Sequence, residues 1–218
     1  MPPDDSIGYG IQVKLNSIAT IRDNVIVNTK GPGIMVYGAR DLLKVSVVEG
    51  NYVAASRDSA IVLGGGPAIV KNNIAVSSAQ AGIALENYGK RGLLRNVVLV
   101  HNTLYGNMTG GIVAPPQGLF DVRIVNNASH ARLGTPALPI GQPGVMSVGN
   151  VDCRMRACFQ APELRNYSPL SLAPASFDSD PVLPPEDYFG QRRAKPPIRG
   201  AVEAPAPPIT VGIKHVEP

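Results

Sequence analysis

Ile21-Arg22-Asp23-Asn24-Val25-Ile26 reads as two short strands meeting at a sharp corner, with apolar side chains at alternate positions on either side of an asparagine. Alternation with period two marks strands with one buried face. The corner recurs at Gly50-Asn51, Asn72-Asn73, His101-Asn102 and Asn126-Asn127, at intervals of 27, 22, 29 and 25 residues. A second marker runs in phase with it. Gly10-Ile11-Gln12-Val13, Gly33-Ile34-Met35-Val36, Ala60-Ile61-Val62-Leu63, Gly82-Ile83-Ala84-Leu85 and Gly111-Ile112-Val113-Ala114 follow one another at 23, 27, 22 and 29 residues. Two independent markers in phase through five copies define a repeat, and each copy must hold several short strands and turns.

Valine and isoleucine dominate and no segment up to Ala131 has helical spacing, which excludes leucine-rich repeats. A repeat of 22 to 29 residues built this way fits one coil of a parallel β-helix. On the Gly-Ile starts, the Asn turns and the phrase quoted above, residues 9 to 131 resemble the right-handed parallel β-helix, pectin-lyase-like proteins. The expected fold is all-β: a solenoid of about five coils with an irregular C-terminal capping segment.

Aligning the coils on the asparagine stacks Ile21, Val48, Val70, Leu99 and Ile124 in one interior column, and Ile26, Val53, Ala75, Leu104 and Ser129 in another. Asn24, Asn51, Asn73, Asn102 and Asn127 then form a ladder of side-chain amides, each asparagine tolerating the left-handed backbone of a sharp corner. Parity turns Arg22, Glu49, Lys71, Val100 and Val125 outward, where the first three alternate in charge as a solvated face.

Glycine (23) and proline (21) together make about a fifth of 218 residues, a composition that excludes a helix bundle. No apolar run reaches membrane-helix length, and the start has neither basic n-region nor apolar h-region. The net charge is +4 but the basic residues are scattered, so no nucleic-acid partner is expected. Cys153 and Cys158 suffice for one small loop, either bridged or as buried thiols. Of the prolines, 15 fall after Arg132, and the asparagine pattern stops near His130. Three segments are therefore expected: coils over 1–131, an irregular Pro-rich cap over 132–203 that packs on the end or side of the solenoid, and an extended tail over 204–218. The phrase from Asp187 through Phe189-Gly190 and Arg192 or Arg193 to Gly200-Ala201-Val202-Glu203 looks like the closing segment of secreted β-helix proteins, with Arg199 departing from that pattern. That resemblance implies structural pairing of these charges and a secreted or periplasmic location. Because a repeat begins almost at once, at Tyr9-Gly10, coils and a signal peptide are expected upstream of Met1.

No cofactor or metal is expected, since His101, His130 and His215 are isolated and the cysteines have no nearby histidine. The resemblance implies a polysaccharide ligand and two enzymatic mechanisms. Hydrolysis needs aligned acids on neighbouring coils, whereas Asp23, Asp41, Asp58 and Asp121 do not align. A lyase needs a cation for the uronate carboxylate and a base for the α-proton. The Asp cluster for calcium is missing, which leaves a metal-free lyase on an acidic polysaccharide, with a non-catalytic structural or adhesive module as its rival. The expected sugar-binding column lies three residues after each Gly-Ile isoleucine and comprises Lys14, Tyr37, Gly64, Glu86 and Pro115. Lys14, Tyr37 and Glu86, with Tyr88 and Arg91 from the adjoining loop, form the candidate site, and the side-chain gap at Gly64 is about 10 Å wide, one sugar ring.

Overall fold

Every coil turns three corners. The computed structural model describes residues 8–41, 43–88, 93–132, 139, 141–153, 158–170, 183–203 and 205–210. The first coil holds β1 (Ile11–Val13), β2 (Thr20–Arg22) and β3 (Val25–Val27), and the second β4 (Ile34–Val36), β5 (Ser46–Glu49) and β6 (Tyr52–Ala54). The third has β7 (Ile61–Leu63), β8 (Ala68–Lys71) and β9 (Ile74–Val76), the fourth β10 (Ala81–Leu85), β11 (Leu94–Val100) and β12 (Thr103–Asn107), and the fifth β13 (Gly110–Val113), β14 (Leu119–Val125) and β15 (Ala128–Ala131). Like strands pair in parallel through the stack. Sheet A runs β1-β4-β7-β10-β13, sheet B contains β2 to β14 and sheet C β3 to β15.

The interior columns are those read from the asparagine alignment: Ile21, Val48, Val70, Leu99 and Ile124 stand in register in sheet B, and Ile26, Val53, Ala75, Leu104 and Ser129 in sheet C. With the sheet A isoleucines they make one core along the solenoid axis. Burying a Val, Leu or Ile side chain contributes about 1.5 to 3 kcal/mol, so the stack is held mainly by this core.

Six strands, not five, stand in sheets B and C. β16 (Val145–Val148) pairs with β14, and β17 (Val151–Asp152) with β15. The coil pattern thus passes the boundary expected at residue 131. Gly149-Asn150 repeats the Gly50-Asn51 corner, which the proline-rich surroundings masked in the sequence.

The amide ladder is present and polarised. The Nδ2 of Asn24, Asn51, Asn73, Asn102 and Asn127 each donates to the Oδ1 of the next asparagine at 2.9 to 3.0 Å, ending on Asn150. The backbone N–H of each donates to the same oxygen. The left-handed residue of the corner, however, is not the ladder asparagine but the residue before it: Asp23, Gly50, Asn72, His101, Asn126 and Gly149 have φ between 51° and 67°. The ladder residue keeps its side chain inward, while its predecessor turns outward.

A hairpin of β18 (Phe159–Ala161) and β19 (Asn166–Pro169) and the segment 183–203 cover the outer face of sheet C. Tyr52, Ile74, Val76, Ala128 and Val151 on that face pack against Phe159, Tyr167, Ala201 and Val202. Cys153 and Cys158 are joined by a disulfide within this cluster, with Cα atoms 5.7 Å apart. The C-terminal part therefore lies along the side of the solenoid. Among the described residues no helix is long and apolar enough to cross a membrane.

Candidate functional site

The residues that follow the sheet A strands remain in register, as the bonds from the N–H of Tyr37 to Val13, of Gly64 to Val36 and of Glu86 to Leu63 show. The open groove does not form. Tyr37 is only 7% exposed and meets the Tyr88 ring edge-on at 5.4 Å between centroids. A Cβ on Gly64 would lie 2.7 Å from Tyr88 Cδ2, so the Tyr88 ring occupies the gap that the glycine leaves. The sequence spacing could not show this, because Tyr88 returns from the loop after its own strand. Its hydroxyl donates to Glu86 Oε2. Burial first, then that bond and the Glu86 charge, raise the Tyr88 hydroxyl well above the usual phenol range. The structure thus brings Tyr37, Glu86 and Tyr88 together, leaves Lys14 exposed on the turn after β1, and does not reach Arg91, which lies outside the described residues.

An open concavity lies instead at the sheet B to sheet C corner of the coil. A cleft of about 300 Å³ is lined by Arg22, Asp23, Glu49, Gly50, Lys71 and Asn72 from the sheet B to sheet C corner, and by Pro184 to Tyr188 and Gly190 from the C-terminal segment. Arg22, Glu49 and Lys71 are the outward column read as a solvated face. They are in register, and Lys71 Nζ lies 2.9 Å from Glu49 Oε1. Farther along the column Val100 and Val125 are apolar because Leu183 packs over them. Covering by a distant segment turned a plain surface column into one wall of a cleft; the alternation of charge gave its exposure but not its opposite wall.

Asn72 ties the two walls. Its Nδ2 donates to the Glu186 carbonyl at 2.7 Å and its Oδ1 accepts from Arg193 Nη2 at 2.8 Å. Arg193 also donates to Glu203 Oε2 at 2.8 Å and to the Gly200 and Ala201 carbonyls. The Asp187 carboxylate accepts from the N–H groups of Phe189, Gln191 and Glu203. The closing segment's charges thus pair structurally, as the resemblance implied, and they aim Tyr188 at the cleft. Burial pushes the Tyr188 hydroxyl up to about 12, so it remains a donor at neutral pH.

One coil beyond Asn72, buried His101 occupies the same left-handed position. Its Nδ1 lies 3.3 Å from the Gly200 carbonyl, and its Nε2 3.3 Å from Asn126 Nδ2. A donor at Nδ1 and an acceptor at Nε2 satisfy both contacts, which selects the neutral ring protonated on Nδ1. Burial, then the nearby Arg193 charge, lowers its pKa from 6.5 to about 3. The unfolded chain binds a proton below 6.5 that the folded chain refuses, so this contribution is complete above pH 6.5 and is lost as pH falls toward 3. The expected slope is about 1.4 kcal/mol per pH unit. Urea unfolding between pH 7 and pH 4 should show His101→Gln losing less stability on acidification than the wild type; parallel curves would refute the assignment.

The family model of the right-handed β-helix region matches residues 4–133. The chain belongs to this family. Searches of curated proteins and of solved structures returned no match. In this β-helix protein the matched region supplies the corner column of the cleft, while the opposite wall comes from residues beyond it. Among the described residues no three His, Cys, Asp or Glu side chains gather as a metal set.

Proposed function

We propose that this β-helix protein engages carbohydrate in the cleft between its sheet B to sheet C corner and its C-terminal segment, as a binding module. The observation that carries this reading is the cleft itself: about 300 Å³, with charged side chains along one wall, Lys71 paired with Glu49 among them, and Tyr188 on the other. A saccharide site needs hydrogen-bonding groups fixed in place and a flat apolar face, and this lining supplies both. Lyase chemistry needs a base as well. Tyr188 keeps its proton and the Lys71 ammonium is engaged by Glu49, so binding fits the cleft better than catalysis. The disulfide within the C-terminal cluster supports an oxidising compartment, secreted or periplasmic.

Calorimetric titration of acidic, neutral and amino oligosaccharides against the wild type, Tyr188→Ala and Tyr88→Ala tests the proposal. Binding should weaken at least about tenfold in Tyr188→Ala, the loss of one aromatic stacking face. Loss in Tyr88→Ala alone would move the site to the exposed remainder of the sheet A cluster, where Tyr88 is 41% exposed beside Glu86. Release of an unsaturated uronate, detected by ultraviolet absorbance, would replace the binding module by a lyase.

A further inference from the structure

The charges of the cleft run against an acidic ligand. Four carboxylates, Asp23, Glu49, Glu186 and Asp187, line it against two cations, Arg22 and Lys71, in a chain whose net charge is +4. Lys71 is engaged by Glu49 at 2.9 Å, while the exposed Arg22 makes a looser contact, its Nε 3.9 Å from Asp23 Oδ2. Asp187 is neutralised differently, by three backbone N–H donors. That leaves Glu186. Its carbonyl is held by Asn72 and its backbone bridges Arg192, yet among the described residues its carboxylate has neither an ion pair nor a hydrogen bond. An exposed carboxylate thus lines a cleft in which Lys71 is already paired and acidic groups outnumber basic ones, two positions along the chain from Tyr188.

Resting on the carbohydrate reading above, we infer that the cleft selects a saccharide carrying a protonated amine, an amino sugar, over a uronate. The ammonium pairs with the Glu186 carboxylate, and the aromatic face of Tyr188 attracts the same cation. A uronate carboxylate would meet carboxylates on both walls; Lys71 is paired with Glu49, and Arg22, the other lining cation, stands beside the Asp23 carboxylate. A neutral sugar keeps the stacking contact and forgoes the charge.

Three tetrasaccharides, of glucosamine, of N-acetylglucosamine and of galacturonate, titrated at about pH 6 and low salt, separate the outcomes. The expected result is binding of the glucosamine oligomer, roughly tenfold weaker binding of it by Glu186→Gln for one lost charge-assisted bond, and no loss in Glu163→Gln, exposed and outside the cleft lining. Acetylated or galacturonate oligomer bound as tightly as the amino form would overturn the inference while leaving the carbohydrate reading in place. Equal weakening by Glu186→Gln and Glu163→Gln would reduce the effect to the overall charge of the protein and overturn it too. Failure of the wild type to bind any of the three would remove both.

Discussion

Arg193→Met is expected to destabilise the protein by about 3 to 5 kcal/mol, the cost of breaking a buried ion pair from one side. The side chains of Arg193 and Glu203 are 4% and 6% exposed and 2.8 Å apart, so the substitution leaves a carboxylate with no countercharge in a site that water barely reaches. Glu203 would keep the N–H groups of Ala194 and Ile198, while Asn72 and the Gly200 and Ala201 carbonyls would each lose a donor. The measurement is the urea midpoint of Arg193→Met, Glu203→Leu and the double variant. Since an apolar pair can replace a buried ion pair at little cost, the double variant should recover much of the loss. A single variant within about 1 kcal/mol of wild type would mean that the C-terminal segment is held by its apolar contacts alone.

Asn73→Leu is expected to cost more than about 3 kcal/mol, because several buried groups lose partners at once, at ~1 to 3 kcal/mol each. The N–H and Nδ2 of Asn51 lose their acceptor, and Asn102 Oδ1 loses the Asn73 Nδ2 donor while keeping the backbone N–H of position 73. The carbonyls of Val48 and Lys71 lose the Asn73 amide as well. Leucine matches asparagine in shape and adds apolar surface, so packing alone would predict little harm. The sign of the effect therefore separates the two accounts. An unchanged melting temperature would show the ladder to be a consequence of the stacking and not a support of it.

The solenoid was legible in the sequence because its constraints are local and periodic. Alternation around Asn24, Asn51 and Asn73 sets strand, corner and facing together, and a stacked fold repeats that information at each coil. The sixth corner at Gly149-Asn150 carried the same signal in poorer surroundings. The candidate site was less legible because it depends on contacts distant in the chain. Tyr88 filling the gap over Gly64 is a matter of loop path, and the cleft exists only where Glu186 meets Asn72, 114 residues away. Periodicity says which residues face outward; it says nothing about what comes to cover them.

The strand bounds show a contrast between corners. From sheet B to sheet C every coil uses two residues, 23–24, 50–51, 72–73, 101–102, 126–127 and 149–150, and these are the ladder and its left-handed partner. From sheet A to sheet B the connections are 14–19, 37–45, 64–67, 86–93 and 114–118, unequal in length and, among the described residues, without a stacked column of amides. One corner works as a metronome and the other as free verse. Lengthening a loop costs little entropy when its ends are already clamped by neighbouring strands. New peptide spliced into 114–118 would thus be displayed on the flank without disturbing the beat, whereas a single residue added between Asn73 and Ile74 would turn one side of sheet C inside out. The molecule offers a built-in division between the seam that keeps time and the margin on which new recognition can be written.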